Sequence, residues 1–309
     1  MKTSTICPLT LLACAMTLGC QADILDPGSR VTSLRVLALR ADSPYAAPGD
    51  TVTLETLSYD PLGRPLDWAW AACENPATSD VEGCLAKVAA EAQNGASPLI
   101  ARGEGLDSLE LTIPSTTLDA LPPEALPAAM VGVVSVACPG AIEIERSLAG
   151  LPLRCMDETG SELALDEYVI GLKRIFVRTA DRNQNPAIER VTFDGEDWPE
   201  DEVKEVDPCP TDGNTYDDCK VGKHSLAAFV TPDSFESGVD EFGREYGESL
   251  VVQYYATEGL FEFEVRIGEE PETGWAARSG ASGSELTLWF VARDNRGGVS
   301  WLERRVRVR

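Results

Sequence analysis

Six cysteines divide the body of this chain into three short segments, and that pattern limits the fold more than any other feature. Cys73 and Cys84, Cys138 and Cys155, and Cys209 and Cys219 stand as sequence-local couples, each bounding a stretch rich in Pro, Gly or Asp. Nine cysteines are present in all, and Cys7, Cys14 and Cys20 belong to an N-terminal leader or its end. An even number left in an exported chain reads as disulfides. Six cysteines allow many connectivities, and local closure (73–84, 138–155, 209–219) is the expected one. Each link stabilises by roughly 3 kcal/mol when unstrained. Zinc is the rival reading, but no couple has CxxC spacing and the single histidine, His224, has no histidine partner.

The leader carries Lys2 ahead of an apolar run over residues 6–18. That run is too short to span a bilayer and ends in small residues, as a cleaved export signal does. Leu18-Gly19-Cys20-Gln21 resembles the lipobox of bacterial lipoproteins. The resemblance implies that Cys20 becomes the acylated first residue and that the membrane is a partner through this lipid anchor. Gln21 after the cysteine implies the outer membrane or cell surface, by the bacterial sorting rule. Leu11-Leu12-Ala13-Cys14 is a second match with a much shorter apolar core, and a plain secreted protein cut near Cys20 is a third reading. Several acyl chains hold firmly where one binds marginally, at ~0.8 kcal/mol per buried CH₂.

Lys and Arg total 26 against 51 Asp and Glu, a net charge of −25. Such a surface repels phosphates of nucleic acids and anionic headgroups, so no nucleic-acid partner is expected. It attracts divalent cations and basic partners, and it keeps a tethered chain soluble. Beyond residue 20 there is room for two domains of ~100–150 residues each.

After a linker over residues 21–30, alternating runs and turns set out a first domain over 31–180. Residues 31–40 alternate around Leu34, Val36 and Ala38. Ala47-Pro48-Gly49-Asp50 is a turn, in which Pro presets one backbone angle and Gly permits positive φ. Residues 51–59 place Val52 and Leu54 on one face, and residues 66–70 carry alternate aromatics. A short helix is expected over 85–93, stopped by Asn94-Gly95. Strands follow at 109–113, at 130–137, the most continuously apolar and so the central one, and at 168–178. The segments 73–84 and 138–155 read as closed loops.

The order of strand, APGD turn, TVTL strand and DWAW strand is similar to the opening of immunoglobulin-like domains in bacterial surface proteins. The resemblance implies an all-β fold of two tandem Ig-like antiparallel β-sandwich domains with disulfide-closed loops. It makes Trp70 the buried core tryptophan. Trp68 is expected to face the other way, open to stacking on a sugar.

Residues 181–186 (DRNQNP) separate the two strand-rich halves as a hinge. Their Asp/Asn alternation resembles the linker that binds calcium between cadherin-type domains, which implies Asp181, Asn183 and Asn185 as ligands. An Asx-turn linker whose side chains satisfy their own backbone is the plainer reading. In the second domain, 187–309, strands are expected at 188–193, 250–255, 261–267, 285–293 and 299–308. Asp194-Gly195 and residues 294–298 (DNRGG) are hairpin turns, and 209–219 is a solvated, closed turn. Residues 285–301 resemble the last two strands of a PKD- or Ig-like domain. Arg305, Arg307 and Arg309 share one strand face, expected opposite Glu262 and Glu264.

No catalytic motif stands out. His224 has no GxSxG serine to serve, and there is no HExxH and no phosphate-binding loop. A glycosidase pair among the many acids is invisible to sequence. The expected function is therefore non-enzymatic: an envelope module presenting the 138–155 and 209–219 loops to a protein or polysaccharide partner, with no cofactor other than calcium in view. A carbohydrate-binding module using Trp68, Trp198 or Trp275, and a calcium-stabilised adhesion-type module, are the alternatives.

Overall fold

Apolar residues alternate in many of the strands, which gives those strands one face to bury, and pairs of sheets close over the buried faces. The structure, a computed structural model, describes residues 28–309 apart from 96, 98, 120, 146–151 and 212. The expected leader, Cys14 and the position expected to carry the lipid, Cys20, lie outside the described residues.

The first half contains β1 (Arg35–Ala41), β2 (Tyr45–Ala46), β3 (Thr51–Tyr59), β4 (Asp67–Glu74) and β5 (Ala101–Glu104). It continues with β6 (Ser108–Thr112), β7 (Met130–Cys138), β8 (Ala141–Ile144), β9 (Leu153–Met156) and β10 (Val169–Val177). One layer has the order β1-β3-β6 and the other β2-β10-β7-β4-β5. Every residue of β7 is buried, as its unbroken apolar run requires. Val131 and Val133 face the inner core with Leu54, Trp70 and Ile175. Val134 and Val136 face the opposite side, against Val88 of helix α1 (Val81–Gln93) and Ile142 of β8.

Two segments that read as loops are ordered elements instead. Helix α1 begins inside the 73–84 segment because the Asp80 carboxylate accepts from Gly83 N, capping an end that apolar periodicity alone does not mark. Cys84 thus lies in the first turns of the helix, and its bond to Cys73 staples the helix to β4. Gly132 leaves the space for that bond, since a Cβ there would stand 2.8 Å from Cys73 Sγ. The 138–155 segment holds the antiparallel pair β8–β9, tied back to the end of β7 by Cys138–Cys155.

The second half contains β11 (Ile188–Phe193), β12 (Glu196–Asp197), β13 (Val203–Val206), β14 (Lys223–Val230), β15 (Ser237–Val239) and β16 (Glu245–Gly247). Then come β17 (Leu250–Ala256), β18 (Leu260–Phe261), β19 (Val265–Ile267), β20 (Thr273–Ala276), β21 (Glu285–Asp294) and β22 (Val299–Val308). The layers are β12-β11-β14-β20-β18 and β13-β22-β21-β17-β19, closed over Trp198, Leu226, Tyr254, Trp275 and Phe290. Strand β14, which the sequence reading passes over, is the middle strand of its sheet. KHSLAAFV has two alanines and only one β-branched residue, so its strand signal is faint, yet Leu226, Ala228 and Val230 face the core. Cys209–Cys219 closes the turn between β13 and β14. The basic tail pairs with its own hairpin partner rather than with Glu262 and Glu264. Arg305 and Arg307 lie 3.3 and 3.4 Å from Glu285, and Arg309 is 3.6 Å from Asp207.

Strand β1 is buried on both faces, and its outer face joins the halves. Leu39 and Ala41 belong to the first core. A register shift between Val36 and Ala38 turns both Leu37 and Ala38 outward. Leu37 meets Trp289, and Ala38 meets Val291 and Val299, on the outer face of β21 and β22. Tyr59 lies against Trp289 with ring centroids 5.0 Å apart. The end of the expected linker is part of this arrangement: Val31 N donates to Ala256 O, and Ala256 N donates to Ser29 O, so residues 29–31 lie along β17 of the second half.

Trp289→Ala removes the more deeply buried of the two tryptophans at this interface, the other being Trp301. The expected cost is about 3–5 kcal/mol, with a single urea transition splitting into two. A denaturation curve followed by far-UV circular dichroism checks it; one unshifted transition would show that the outer face of β21 does not couple the halves.

Candidate functional site at the interdomain joint

The tryptophans singled out for sugar stacking are core residues. Trp68 is 1%, Trp198 1% and Trp275 0% exposed, so none has a ring face open to a ligand. Trp68 and Trp70 stand two residues apart in one strand and must share a face, which corrects the expectation that they point oppositely. Their rings lie 6.2 Å apart, near parallel, in the first core. Trp198 Nε1 donates to Glu202 O, while Trp275 Nε1 is enclosed without a hydrogen-bond partner among the described residues.

The three residues expected to share a calcium ion go to three separate tasks. Both carboxylate oxygens of Asp181 accept from Arg296 Nη2 at 3.0 Å. Asn183 Nδ2 donates to Asp294 Oδ2, and its own Oδ1 is enclosed without a hydrogen-bond partner among the described residues. Asn185 Nδ2 donates to Ala41 O at 2.7 Å, and its Oδ1 accepts from Val299 N at 2.9 Å, bridging the two halves. Among the described residues no group of three or more His, Cys, Asp or Glu side chains is placed to hold a metal ion.

What gathers at the linker is a cation from the protein itself. The Arg296 side chain, 8% exposed, meets Asp181, Glu236 Oε2 at 3.3 Å and Glu248 Oε1 at 3.3 Å. Its guanidinium also lies over the rings of Tyr246, 3.8 Å from the centroid, and Tyr45 of the first half. The β15–β16 hairpin closes over the linker from above. Its Glu241 carboxylate accepts from the successive backbone N–H groups of Thr179, Ala180 and Asp181. Those bonds hold Glu241 below the usual carboxylate range although burial opposes them. Arg182 adds a 3.0 Å pair with Asp50 of the APGD turn.

Sequence reasoning passed over Arg296, Glu241, Lys173 and Arg293, the last two also placed at this joint. One signal was available. Lys173 shares strand parity with the core residues Ile175 and Val177, so a lysine at that place in an apolar run announces a charge pointing inward. Arg296, inside a DNRGG turn, carries no such mark.

His224 does not stand alone either. Its Nδ1 is 2.8 Å from Asp194 Oδ2, on a tight turn where Asp194 and Gly195 both have positive φ, as a two-residue hairpin of this hand requires. Its Nε2 is enclosed without a hydrogen-bond partner among the described residues, and the neighbouring Ser225 hydroxyl donates to Glu272 instead.

Glu248 gives the joint a pH dependence. Its side chain is only 1% exposed. Burial, then the charges of Asp294 and Glu236, push its pKa from 4.5 up to about 7, although Arg296 pulls it down. A folded-state value above the unfolded one means that stability is fully present below about pH 4.5 and is lost as pH rises through about 7. Glu248→Gln is expected to flatten stability between pH 5 and 8 in urea titrations; an unchanged slope would remove Glu248 as the cause. Arg296→Leu leaves the acids without their cation, and about 3–5 kcal/mol is expected to be lost at neutral pH.

No protein-family model and no curated protein matches the chain. Among solved structures it is similar to the adhesin InvE of Yersinia pseudotuberculosis, at 9% identity and a TM-score of 0.21, over 87% of this chain and 58% of that one. It is also similar to dimeric latent PorU of Porphyromonas gingivalis, at 11% identity and a TM-score of 0.21, over 90% of this chain and 24% of that one. The chain thus spans just over half of the first and about a quarter of the second, and likeness at this level carries no functional argument.

Proposed function

We propose that this chain is a non-catalytic module of the bacterial cell envelope, exported and lipid-anchored through Cys20, whose two Ig-like sandwiches meet a surface partner as one rigid body. The joint is the observation that carries this reading. Arg296, Glu241, Asn185 and the Leu37–Trp289 contact tie the halves through four different kinds of interaction. A scaffold of that kind holds its stapled 138–155 and 209–219 segments at fixed relative positions, which suits presentation to a protein or a polysaccharide. Disulfides persist in oxidising compartments, in support of export. The enclosed Nε2 of His224 supports a role without catalysis.

The tether enters this body at the second half. Ser29 Oγ donates to Glu264, and residues 29–31 lie on β17. The eight peptide steps from Cys20 to residue 28 reach at most about 29 Å. On this reading the C-terminal sandwich is therefore the one held next to the membrane, opposite to the order of the domains in the sequence.

Labelling with radioactive palmitate is expected to mark the wild-type chain in the membrane fraction, with Cys20→Ala unlabelled and soluble. Label persisting in that variant would overturn the anchor at Cys20. Capture of an envelope partner by residues 21–309, weakened at least several-fold in Arg296→Leu, is expected of a rigid presenter; equal capture by the variant, or turnover of envelope glycan by the purified chain, would refute it.

A further inference from the structure

We propose that the cleft between the two halves is an oxyanion site, in which Lys173 and Arg293 take the phosphate or carboxylate group of a small solute. The cleft measures about 440 Å³, within the range of small-molecule sites. Its walls are β1 and β10 on one side and the β21–β22 turn on the other.

The charge along these walls is opposite to that of the protein. Lys173, Arg174, Arg293 and Arg296 line the cleft against a single carboxylate, Asp294, in a chain of net charge −25. Arg296 is matched by Asp181, Glu236 and Glu248. Asp294 is spent on its own turn and on the linker: Oδ1 accepts from Arg296 N and Gly298 N, and Oδ2 from Asn183 Nδ2. Lys173 and Arg293 are left with neutral oxygens. Lys173, 5% exposed, gives Nζ to Gly297 O. Arg293 gives Nε to Gln253 Oε1 at 2.7 Å and Nη2 to Leu37 O at 2.6 Å. Among the described residues neither has a carboxylate within ion-pair distance.

Two positive groups gathered in a partly dry cleft, with no carboxylate in direct contact among the described residues, are costly unless something supplies a counter-charge. Burial first, then the charges of Arg293 and Arg174, pull the Lys173 amine down to about 8, with only Asp294 opposing. Burial lowers Arg293 as well. Both side chains keep N–H donors beyond those already bonded, because an ammonium has three and a guanidinium five. An oxyanion accepts from both kinds of donor and supplies the missing charge, and a neutral solute does not. The overall negative charge of the protein is screened beyond ~8 Å at physiological salt, so it does not keep a small anion out.

The test uses residues 21–309 with inorganic phosphate in one arm and acetate in the other, each against sodium chloride at equal ionic strength. A saturable Tm rise of about 2–4 °C in at least one arm is expected, and the responding arm assigns the group. The rise is expected to vanish in Lys173→Met and in Arg293→Gln. Because both side chains also bridge the halves, a second readout works on the wild-type chain. Limited acylation at pH 8, read lysine by lysine by mass spectrometry, is expected to show Lys173 protected several-fold by the responding anion and Lys220 unchanged. No rise over chloride in either arm, a rise retained in a folded Lys173→Met variant, or equal acylation of Lys173 with and without the anion would overturn the proposal and leave the two cations as ties between the halves.

Discussion

The arrangement of the two sandwiches depends on one guanidinium buried among acids. Asp181 comes from the linker, Glu236 and Glu248 flank the β15–β16 hairpin, and Arg296 sits in the turn before β22. Without the cation these carboxylates repel, and the Glu241 bonds to the backbone of residues 179–181 are left to hold the hairpin on the linker. With it, three segments far apart in sequence are held together. Arginine suits this position where lysine does not, since its planar fork serves both oxygens of Asp181 and still reaches two further acids. The same turn, through Asp294, fixes Asn183, so the linker is held by the structure on either side of it.

That electrostatic tie works because the apolar part of the joint is already committed. A regular strand offers one face to a core and one to water. The register shift in β1 breaks this rule by sending Leu37 and Ala38 outward together while Leu39 still points in. On the opposing sheet, Leu288 and Phe290 of β21 face the second core, and Trp289 and Val291 face the first half. Two strands buried on both faces therefore meet. Apolar burial between them supplies attraction that lacks direction, and Arg296, Asn185 and Glu241 supply the directional bonds that set the orientation.

Much of this fold was legible where sequence reports local chemistry. The cysteine couples pair as their spacing suggested, β7 is central as its unbroken apolar run required, and the APGD and DNRGG turns fall where Gly and Asn place them. Legibility failed where tertiary packing overrides a weak local signal. Strand β14 is alanine-rich and owes its conformation to neighbours on both sides. The Trp68 assignment failed for a simpler reason, parity, which the sequence did contain. At the candidate site the linker was recognised but not its partners. Asp181, Asn183 and Asn185 looked like ligands for an outside ion because nothing in a linear string reveals that Arg296 lies against Asp181.

The distribution of charge follows from the same backbone demands. Taken with their backbone, the charged residues buried among the described ones, Lys173, Arg178, Arg296 and Arg304, are all cations, although acids outnumber bases almost two to one. The enclosed carboxylates of Glu248 and Asp60 belong to residues whose backbone is partly exposed. The partners of the cations explain the asymmetry. Arg178 donates to the carbonyls of Pro127, Ala129 and Val177, and Arg304 to those of Trp198 and Glu303. A sandwich leaves carbonyls unpaired wherever a strand ends or changes sheet, and a multidentate cation satisfies several at once. An acid can do the converse only where consecutive N–H groups converge, as they do for Glu241. Cations are thus drawn inward to complete the backbone while most acids stay in water. The strongly negative surface is in part the remainder of that sorting, and the interdomain cleft is where the sorting leaves positive charge within reach of a solute.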